Sequence, residues 1–219
     1  MNEMVLHKLS PIMGRVLHAS QMNLWKASGA TLWCITPTWS ILSLNTIIYS
    51  PWHTPQTSSD PYGQWLWLRT QCEIHRKNKA TLFLVGHIPP TLDTYSHTLL
   101  WKLEHVEMYQ TILREYHDVI SIQIFGHVHA NEFRVSSSFP PLLTTGSISP
   151  LFGNNPTYSI YHVNDHVYSL DEWIVYGSNL SDIIKSNYEK KKWKMIFKTT
   201  SYGINSASNA SEWKNFALR

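Results

Sequence analysis

The chain has few residues that could cross-link it or give it a strongly charged surface. Two cysteines, Cys34 and Cys72, are too few for a disulfide framework and lack the spacing of a zinc-ligand set. Cys34 lies in an apolar run, which predicts a buried thiol, although a pairing with Cys72 stays open. Charged residues make up 15% of the 219 and the net charge is +3, so the composition does not indicate a nucleic-acid-binding surface.

Long apolar runs are also absent. No stretch of about 18 apolar residues occurs, so we expect no transmembrane helix. The first eight residues contain no apolar segment of the kind that a secretory signal needs, and we expect no signal peptide in this chain. Two glycosylation sequons, at Asn179 and Asn209, are compatible with a secreted protein, although such tripeptides often arise by chance.

The residues that are present suit an α/β fold with a core of ordinary size, since 43% of the chain is apolar. A strand, an amphipathic helix and a second strand follow one another, and such a crossover is long enough for parallel pairing. The pattern predicts, in chain order, a hairpin of strands 31–35 and 39–44, a helix from Asp60-Pro61 to Lys77, a strand at 81–85, a helix at 97–117 and a strand at 119–125.

Beyond residue 129 the pattern becomes antiparallel. Candidate strands lie at 132–135, 142–145, 158–163 and 166–170, with a two-residue turn at Asn164-Asp165, and residues 180–198 have a helical composition. We therefore divide the chain into a lead-in at 1–27, a main domain at 28–176 and a helical C-terminal region at 177–219.

Two of the predicted strands end in glycine followed by histidine. Gly86-His87 follows the first strand, and Gly126-His127-Val128-His129 follows the second. Glycine lets the chain turn sharply there, and parallel strands bring their carboxyl ends to one edge of a sheet. An extended His-x-His would project both imidazoles to the same side. The sequence thus predicts a metal site formed by His87, His127 and His129, and the alternative is three ordinary loop histidines.

Several segments together resemble the C-terminal half of a calcineurin-like metallophosphoesterase, specifically of the acid sphingomyelinase and sphingomyelinase-like phosphodiesterase branch. The resemblance covers roughly residues 28–176 and implies half of that family's β-sandwich, flanked by helices, with a small helical appendage after it. The segments are Ile41–Thr46, Asp60-Pro61-Tyr62-Gly63-Gln64-Trp65-Leu66, Gly86–Pro90, Phe125–Phe133, and Ser147–Pro156 followed by Tyr158 and Tyr161.

The resemblance implies a zinc-dependent phosphodiesterase with two metal ions. His87 and His127 would bind one zinc ion and His129 the other, and the substrate would be a phosphodiester such as a phospholipid head group or a nucleotide. Members of the family are secreted or lysosomal. Glu132 could orient a histidine or be a plain surface carboxylate.

In the loop beside the predicted site, Asn154 and Asn155 could reach the substrate, or could simply form the turn.

The other metal-binding motifs of that family are missing from the sequence. None of the six aspartates begins Asp-x-His, no Gly-Asp pair occurs, and Gly153-Asn154-Asn155 is not Gly-Asn-His. Three imidazoles bring no negative charge to offset two dications, so we expect at most one zinc ion. The chain would then be a fragment or shortened form of the hydrolase that needs a missing N-terminal half, or an inactive remnant that acts, if at all, as a binding module.

Overall fold

The computed structural model describes Arg15, Leu17 and residues 19–54, 58–187 and 193–218, so most of the predicted lead-in lies outside the described residues. The chain divides into two compact units, residues 1–120 and residues 121–219. The helices are α1 (Ala19–Ser28), α2 (Gln64–Lys77), α3 (Leu103–Glu115), α4 (Leu180–Lys185) and α5 (Ala210–Ala217). The strands are β1 (Thr31–Thr36), β2 (Trp39–Ser43), β3 (Thr81–Val85), β4 (Ile120–Phe125), β5 (Glu132–Arg134), β6 (Leu142–Thr144), β7 (Thr157–Val163), β8 (Leu170–Gly177) and β9 (Lys194–Lys198).

In the first unit the predicted hairpin is confirmed. Strand β1 runs antiparallel to β2, and β2 runs parallel to β3 with Trp39 beside Thr81 and Ser43 beside Val85. The centre of β3 is buried, as its continuous apolar run requires. Helix α2 packs beside β3 and buries Trp65, Leu68 and Cys72, which are spaced three and four residues apart.

An aromatic cluster fills the core of the first unit. Tyr49 stacks on Trp65 with ring centroids 4.3 Å apart, and Trp101, His105 and Tyr109 pack around this pair. All five side chains are buried, and aromatic rings of this size contribute much of the apolar area that a small unit removes from water.

The second unit contains two groups of strands. Strand β4 runs parallel to β6, and β5 runs antiparallel to β6. Strands β7, β8 and β9 form an antiparallel sheet in that order. Trp173 of β8 contacts Phe197 of β9 and Trp213 of α5, so the C-terminal helix closes the core of this sheet. The combination of parallel strands and helices in the two units confirms the α/β prediction.

Helix α2 begins at Gln64, three residues later than the predicted first helical position at Pro61. Pro61 starts a short 3-10 turn, Pro61–Gly63, in which Tyr62 and Gly63 have positive φ, and these angles break the path into the helix. The Asp60 carboxylate nevertheless accepts the backbone N–H groups of Trp65 and Leu66 at 2.8 and 3.2 Å. Asp60 therefore caps the first turn of α2 from outside the helix.

Helix α3 begins at Leu103, so the predicted start at residue 97 is wrong. The Asp93 side chain accepts the backbone N–H groups of Tyr95 and Ser96, and the Asp93 N–H donates to the Thr98 carbonyl oxygen. These bonds form a local turn that competes with the helix, because a short carboxylate can take N–H groups that a helix would use.

Two further predictions in the second unit are wrong. Asn164 accepts the N–H groups of His166 and Val167, so residues 164–169 form a loop where a two-residue turn and a strand at 166–170 were expected. Of the predicted helix at 180–198, only α4 is helical, residues 188–192 lie outside the described part, and β9 is a strand. Pairing with β8 and the contact of the half-buried Phe197 ring with Trp173 outweigh the local helical composition.

The structure also corrects the prediction for Cys34, which is exposed, whereas Cys72 is buried, and both thiols are free. Burial raises the pKa of Cys72 to about 12. Among the described residues, no helix has the length and apolar character needed to cross a membrane. The domain boundaries at residues 27 and 176 stay predictions.

Candidate metal-binding site

His87 lies on a turn that the first unit holds firmly. Strand β3 ends at Val85, and the backbone N–H groups of His87 and Ile88 both donate to the Thr46 hydroxyl, at 3.2 and 2.8 Å. The Trp101 indole N–H donates to the Ile88 carbonyl oxygen at 2.9 Å. His87 is an exposed residue, so these hydrogen bonds fix the backbone of a turn that lies at the surface.

Thr46 is held in turn by an amide network. The Gln64 side chain accepts the Asn45 N–H at 2.9 Å and donates to the Asn45 carbonyl oxygen at 3.2 Å. The Asn45 side chain donates to the Ser28 carbonyl oxygen at 2.6 Å. Asn45 and Gln64 belong to two of the segments that carry the family resemblance. From the sequence alone, no role is predicted for these two side chains. In the structure they stabilise the turn that carries His87.

The second histidine segment is a tight turn, so the expectation of an extended His-x-His is wrong. His127 and His129 have φ of +70° and +54°, and the intervening Val128 N–H donates to the Gly126 carbonyl oxygen at 2.8 Å. Val128 is buried, which fixes the centre of the turn. Positive φ in a residue other than glycine is strained and persists only where the surroundings impose it, often at functional sites.

His129 has an unusual environment for an imidazole. Its Nδ1 atom is buried without a hydrogen-bond partner, and its ring meets that of Phe152 edge to face, with centroids 5.3 Å apart. The Asn154 amide donates to the His129 carbonyl oxygen at 3.1 Å. A buried polar atom without a partner is destabilising, and a neutral imidazole nitrogen is a good zinc ligand. This atom therefore fits a metal-binding role.

A hydrogen-bond frame fixes the backbone that follows His129. The Thr144 hydroxyl donates to the Ala130 carbonyl oxygen and accepts the Glu132 N–H, both at 3.1 Å. The Asn131 side chain accepts the Gly146 N–H at 2.8 Å and donates to the Thr157 hydroxyl at 3.2 Å. The histidine turn is thus tied to β6 and β7 by buried or half-buried side chains.

The remaining predicted site residues have structural contacts. Glu132 forms an ion pair with Arg134 at 2.8 Å, and the Asn155 side chain accepts the Leu180 N–H at 3.0 Å. Asn179 and Asn209 are exposed and cap α4 and α5, each by accepting a backbone N–H. A role of Glu132 beside a histidine, substrate contacts of Asn154 and Asn155, and glycosylation stay predictions.

The structure brings two of the three predicted metal ligands together. His127 and His129 share one turn of the second unit, whereas His87 belongs to the first unit, so the three-histidine site stays a prediction. Within the described ranges, no group of three or more His, Cys, Asp or Glu side chains is arranged to hold a metal ion. The two histidines of the turn alone do not form such a group, so a metal-binding role for them stays a prediction.

The fold is that of a dimetal phosphatase. The structure resembles the crystal structure of a dimetal phosphatase from Danio rerio with a TM-score of 0.52 at 12% identity, covering 77% of this chain and 64% of that one. No protein-family model matches the chain.

Sequence relatives identify the family within this fold as the sphingomyelinase-like phosphodiesterases. A sphingomyelinase phosphodiesterase D of Dictyostelium discoideum is 30% identical over 159 residues, 68% of this chain and 36% of the relative. A cyclic GMP-AMP phosphodiesterase of Bos taurus is 26% identical over 81% of this chain and 42% of the relative. An acid sphingomyelinase-like phosphodiesterase 3b of Homo sapiens is 28% identical over 77% and 40%.

The comparisons confirm the resemblance to acid sphingomyelinase-like metallophosphoesterases that the motifs indicated. The chain spans less than half the length of each of these three relatives, between 36% and 42%. The comparisons therefore do not by themselves assign the substrates of the relatives to this chain.

Proposed function

We propose that this chain belongs to a zinc-dependent phosphodiester hydrolase and supplies the imidazole ligands of its metal centre. His87 and His127 would hold one zinc ion and His129 the other. The observation that carries the proposal is the strained turn of the second unit, where a buried Nδ1 of His129 has no hydrogen-bond partner. When bound, such ions polarise the phosphodiester and activate a water molecule for in-line attack.

The residues of this chain would position those ligands. Thr46 fixes the turn of His87, and the Asn154 amide holds the backbone of His129. The Phe152 ring packs against the His129 ring, which limits the directions from which water can reach the imidazole. Rigid support of this kind favours a metal site, because a ligand that needs no reorganisation loses little entropy on binding.

We further propose that the metal centre in these 219 residues is incomplete. The sequence contains no Asp-x-His, Gly-Asp or Gly-Asn-His motif, and no other described carboxylate joins the histidine turn to form a metal-binding group. A carboxylate bridge offsets the repulsion between two dications, so this chain alone would bind at most one zinc ion. The remaining ligands would come from a further N-terminal half of the protein.

The substrate would be a phosphodiester of a phospholipid head group or of a nucleotide. Both kinds of substrate occur in the names of the relatives, which include sphingomyelinases and cyclic GMP-AMP phosphodiesterases. A secreted or lysosomal location accords with the family resemblance and with two exposed sequon asparagines, Asn179 and Asn209.

Zinc binding tests the proposal without depending on turnover. We expect calorimetric titration to give a stoichiometry of at most one zinc ion. The H127A/H129A variant removes a ligand of each proposed ion, and we expect it to weaken binding by at least about tenfold. His166→Ala is the matched control, since His166 is an exposed loop histidine of the same unit. Equal zinc affinity in the H127A/H129A and His166→Ala variants would refute the assignment.

Hydrolysis of bis-(p-nitrophenyl) phosphate distinguishes an active chain from a non-catalytic remnant. The remnant is the second candidate, and the missing aspartate motifs favour it. Zinc-dependent turnover by the purified chain that is lost in His127→Ala would rule out the remnant. Zinc binding without turnover would support the second candidate, a metal-binding module that lacks the carboxylates of the family.

A further inference from the structure

One loop of the second unit carries large apolar side chains into solvent beside the histidine turn. Ile148, Leu151 and Phe152 are 68%, 57% and 65% exposed. Single exposed apolar residues are normal on a protein surface, but three on a loop of seven residues, 147–153, form a patch that indicates an interaction. We call this segment the apolar loop.

Two backbone hydrogen bonds define the shape of the apolar loop, one at its base and one at its tip. At its base, the Thr157 N–H donates to the Ser147 carbonyl oxygen at 2.9 Å. At its tip, the Gly153 N–H donates to the Pro150 carbonyl oxygen at 3.1 Å, which places Leu151 and Phe152 at the two central positions of a tight turn. The turn at the tip therefore presents two large apolar side chains to solvent.

Serine hydroxyls satisfy backbone groups within the loop. The Ser149 N–H donates to the Ser147 hydroxyl at 3.0 Å, and the Leu151 N–H donates to the Ser149 hydroxyl at 3.4 Å. Local partners of this kind matter in a lipid environment, because it offers no water to backbone groups that lack a partner.

The loop also lies in an uncharged part of the chain. No Asp, Glu, Lys or Arg occurs between Arg134 and Asp165, a stretch that includes the whole apolar loop and both of its ends. Transfer of a charged side chain into the apolar part of a bilayer is expensive. This loop could enter the head-group region without such a penalty.

The apolar loop is joined directly to the histidine turn. The Phe152 ring contacts that of His129, and the Asn154 amide, one residue beyond the loop, donates to the His129 carbonyl oxygen. A surface that received the tip of the loop would therefore lie within about one side-chain length of the predicted metal ligand.

We propose that the apolar loop docks on a phospholipid bilayer and brings the histidine turn to the lipid head groups. The proposal builds on the proposed function, since the phosphodiester of a lipid head group lies at that surface. The exposed aliphatic side chains of Ile148 and Leu151 suit acyl chains and the head-group boundary. A nucleotide base would instead favour aromatic rings within a concave site.

Vesicle flotation with the full chain tests the docking. The vesicles contain phosphatidylcholine and sphingomyelin, which carry no net charge, so that the net charge of +3 on the chain does not drive binding. We expect the wild-type chain to float with the vesicles and the I148S/L151S variant to partition at least about tenfold more weakly. Phe152 stays in place, so its contact with His129 is kept.

A matched control is Val167→Ser, which removes an apolar side chain that is 64% exposed on another loop of the same unit. This variant should float as the wild type does, and circular dichroism should show that both variants keep the native fold. Equal flotation of I148S/L151S and wild type would overturn the proposal, as would a wild-type chain that stays with the unbound fraction.

Self-association is an alternative explanation of the exposed apolar side chains, and it can be tested separately. Sedimentation that shows a dimer in wild type and a monomer in I148S/L151S, without flotation, would mean that the loop binds a second copy, and it would overturn the lipid proposal. Flotation requires no turnover. A chain that floats but neither binds zinc nor hydrolyses a soluble diester would refute the proposed function alone, and the reverse result would refute only the docking.

Discussion

At the scale of single residues, hydroxyl and amide groups fix the backbone positions of the candidate metal ligands. The Thr46 hydroxyl accepts two backbone N–H groups from the turn of His87, and Thr46 is 1% exposed, so water cannot easily replace it. In the second unit the Asn154 amide holds the backbone of His129. Such contacts determine where an imidazole lies although they do not touch a ligand themselves.

Thr46→Val tests the first of these contacts. Valine keeps the shape of threonine but removes the acceptor of the buried Ile88 N–H, so the free energy of unfolding should fall by about 1–3 kcal/mol. Thr46→Ser is the control, because serine keeps the hydroxyl and loses one methyl group, at about 0.8 kcal/mol. Urea denaturation measures both. A Thr46→Val variant as stable as Thr46→Ser would contradict the bracing role of the hydroxyl.

At the scale of elements, the loop that follows β6 is fixed by close packing. The backbone of Gly146 lies against two polar side chains, and a Cβ atom at this position would lie 2.1 Å from the Thr157 hydroxyl and 2.8 Å from the Asn131 amide nitrogen. The same two side chains are hydrogen-bonded to each other, so neither can move without loosening the frame of the histidine turn.

Gly146→Ala should therefore destabilise the second unit by about 1–3 kcal/mol through overpacking. A double-mutant cycle with Thr157→Ala separates this clash from a general backbone effect. Since Thr157→Ala removes the nearest atom, Gly146→Ala should cost less stability in that background. Additive effects of the two substitutions in urea denaturation would show that the clash is not the cause.

At the scale of the whole molecule, the buried His105 makes stability depend on pH. Burial among the aromatic side chains of the first unit lowers the pKa of His105, while Glu104, with a carboxylate oxygen 3.7 Å from Nε2, acts in the opposite direction and Lys102 adds to the lowering. In the unfolded chain the imidazole has an ordinary pKa near 6.5, so the unfolded state binds the proton more readily.

The folded-state pKa is the depressed one, so the contribution of His105 is present above about pH 6.5 and is lost as the pH falls below it. The free energy of unfolding should decrease on acidification, by at most about 1.4 kcal/mol per pH unit from this one group. Denaturation curves between pH 5 and pH 8 measure the slope. In His105→Phe the slope should be smaller, and an unchanged slope would assign the effect to other groups.

Periodicity and turn chemistry predicted a good part of the fold. The hairpin of β1 and β2, the end of α2 at Lys77 and its buried stripe follow from local patterns that tertiary contacts do not reverse. The prediction failed at β9, because a strand there depends on pairing with β8 and on the contact between the rings of Phe197 and Trp173. Distant contacts of this kind leave no signal in a local window.

The sequence by itself determined that glycine and histidine follow β3 and β4 and that the family's aspartate motifs are absent, because both are properties of residue order. Only the tertiary structure decided that His127 and His129 take left-handed backbone angles, that Nδ1 of His129 is buried without a partner, and that Thr46 supports His87. These properties exist only after remote segments have packed together. The Thr46 hydroxyl, for example, is 41 and 42 residues away in the chain from the two N–H groups that it accepts.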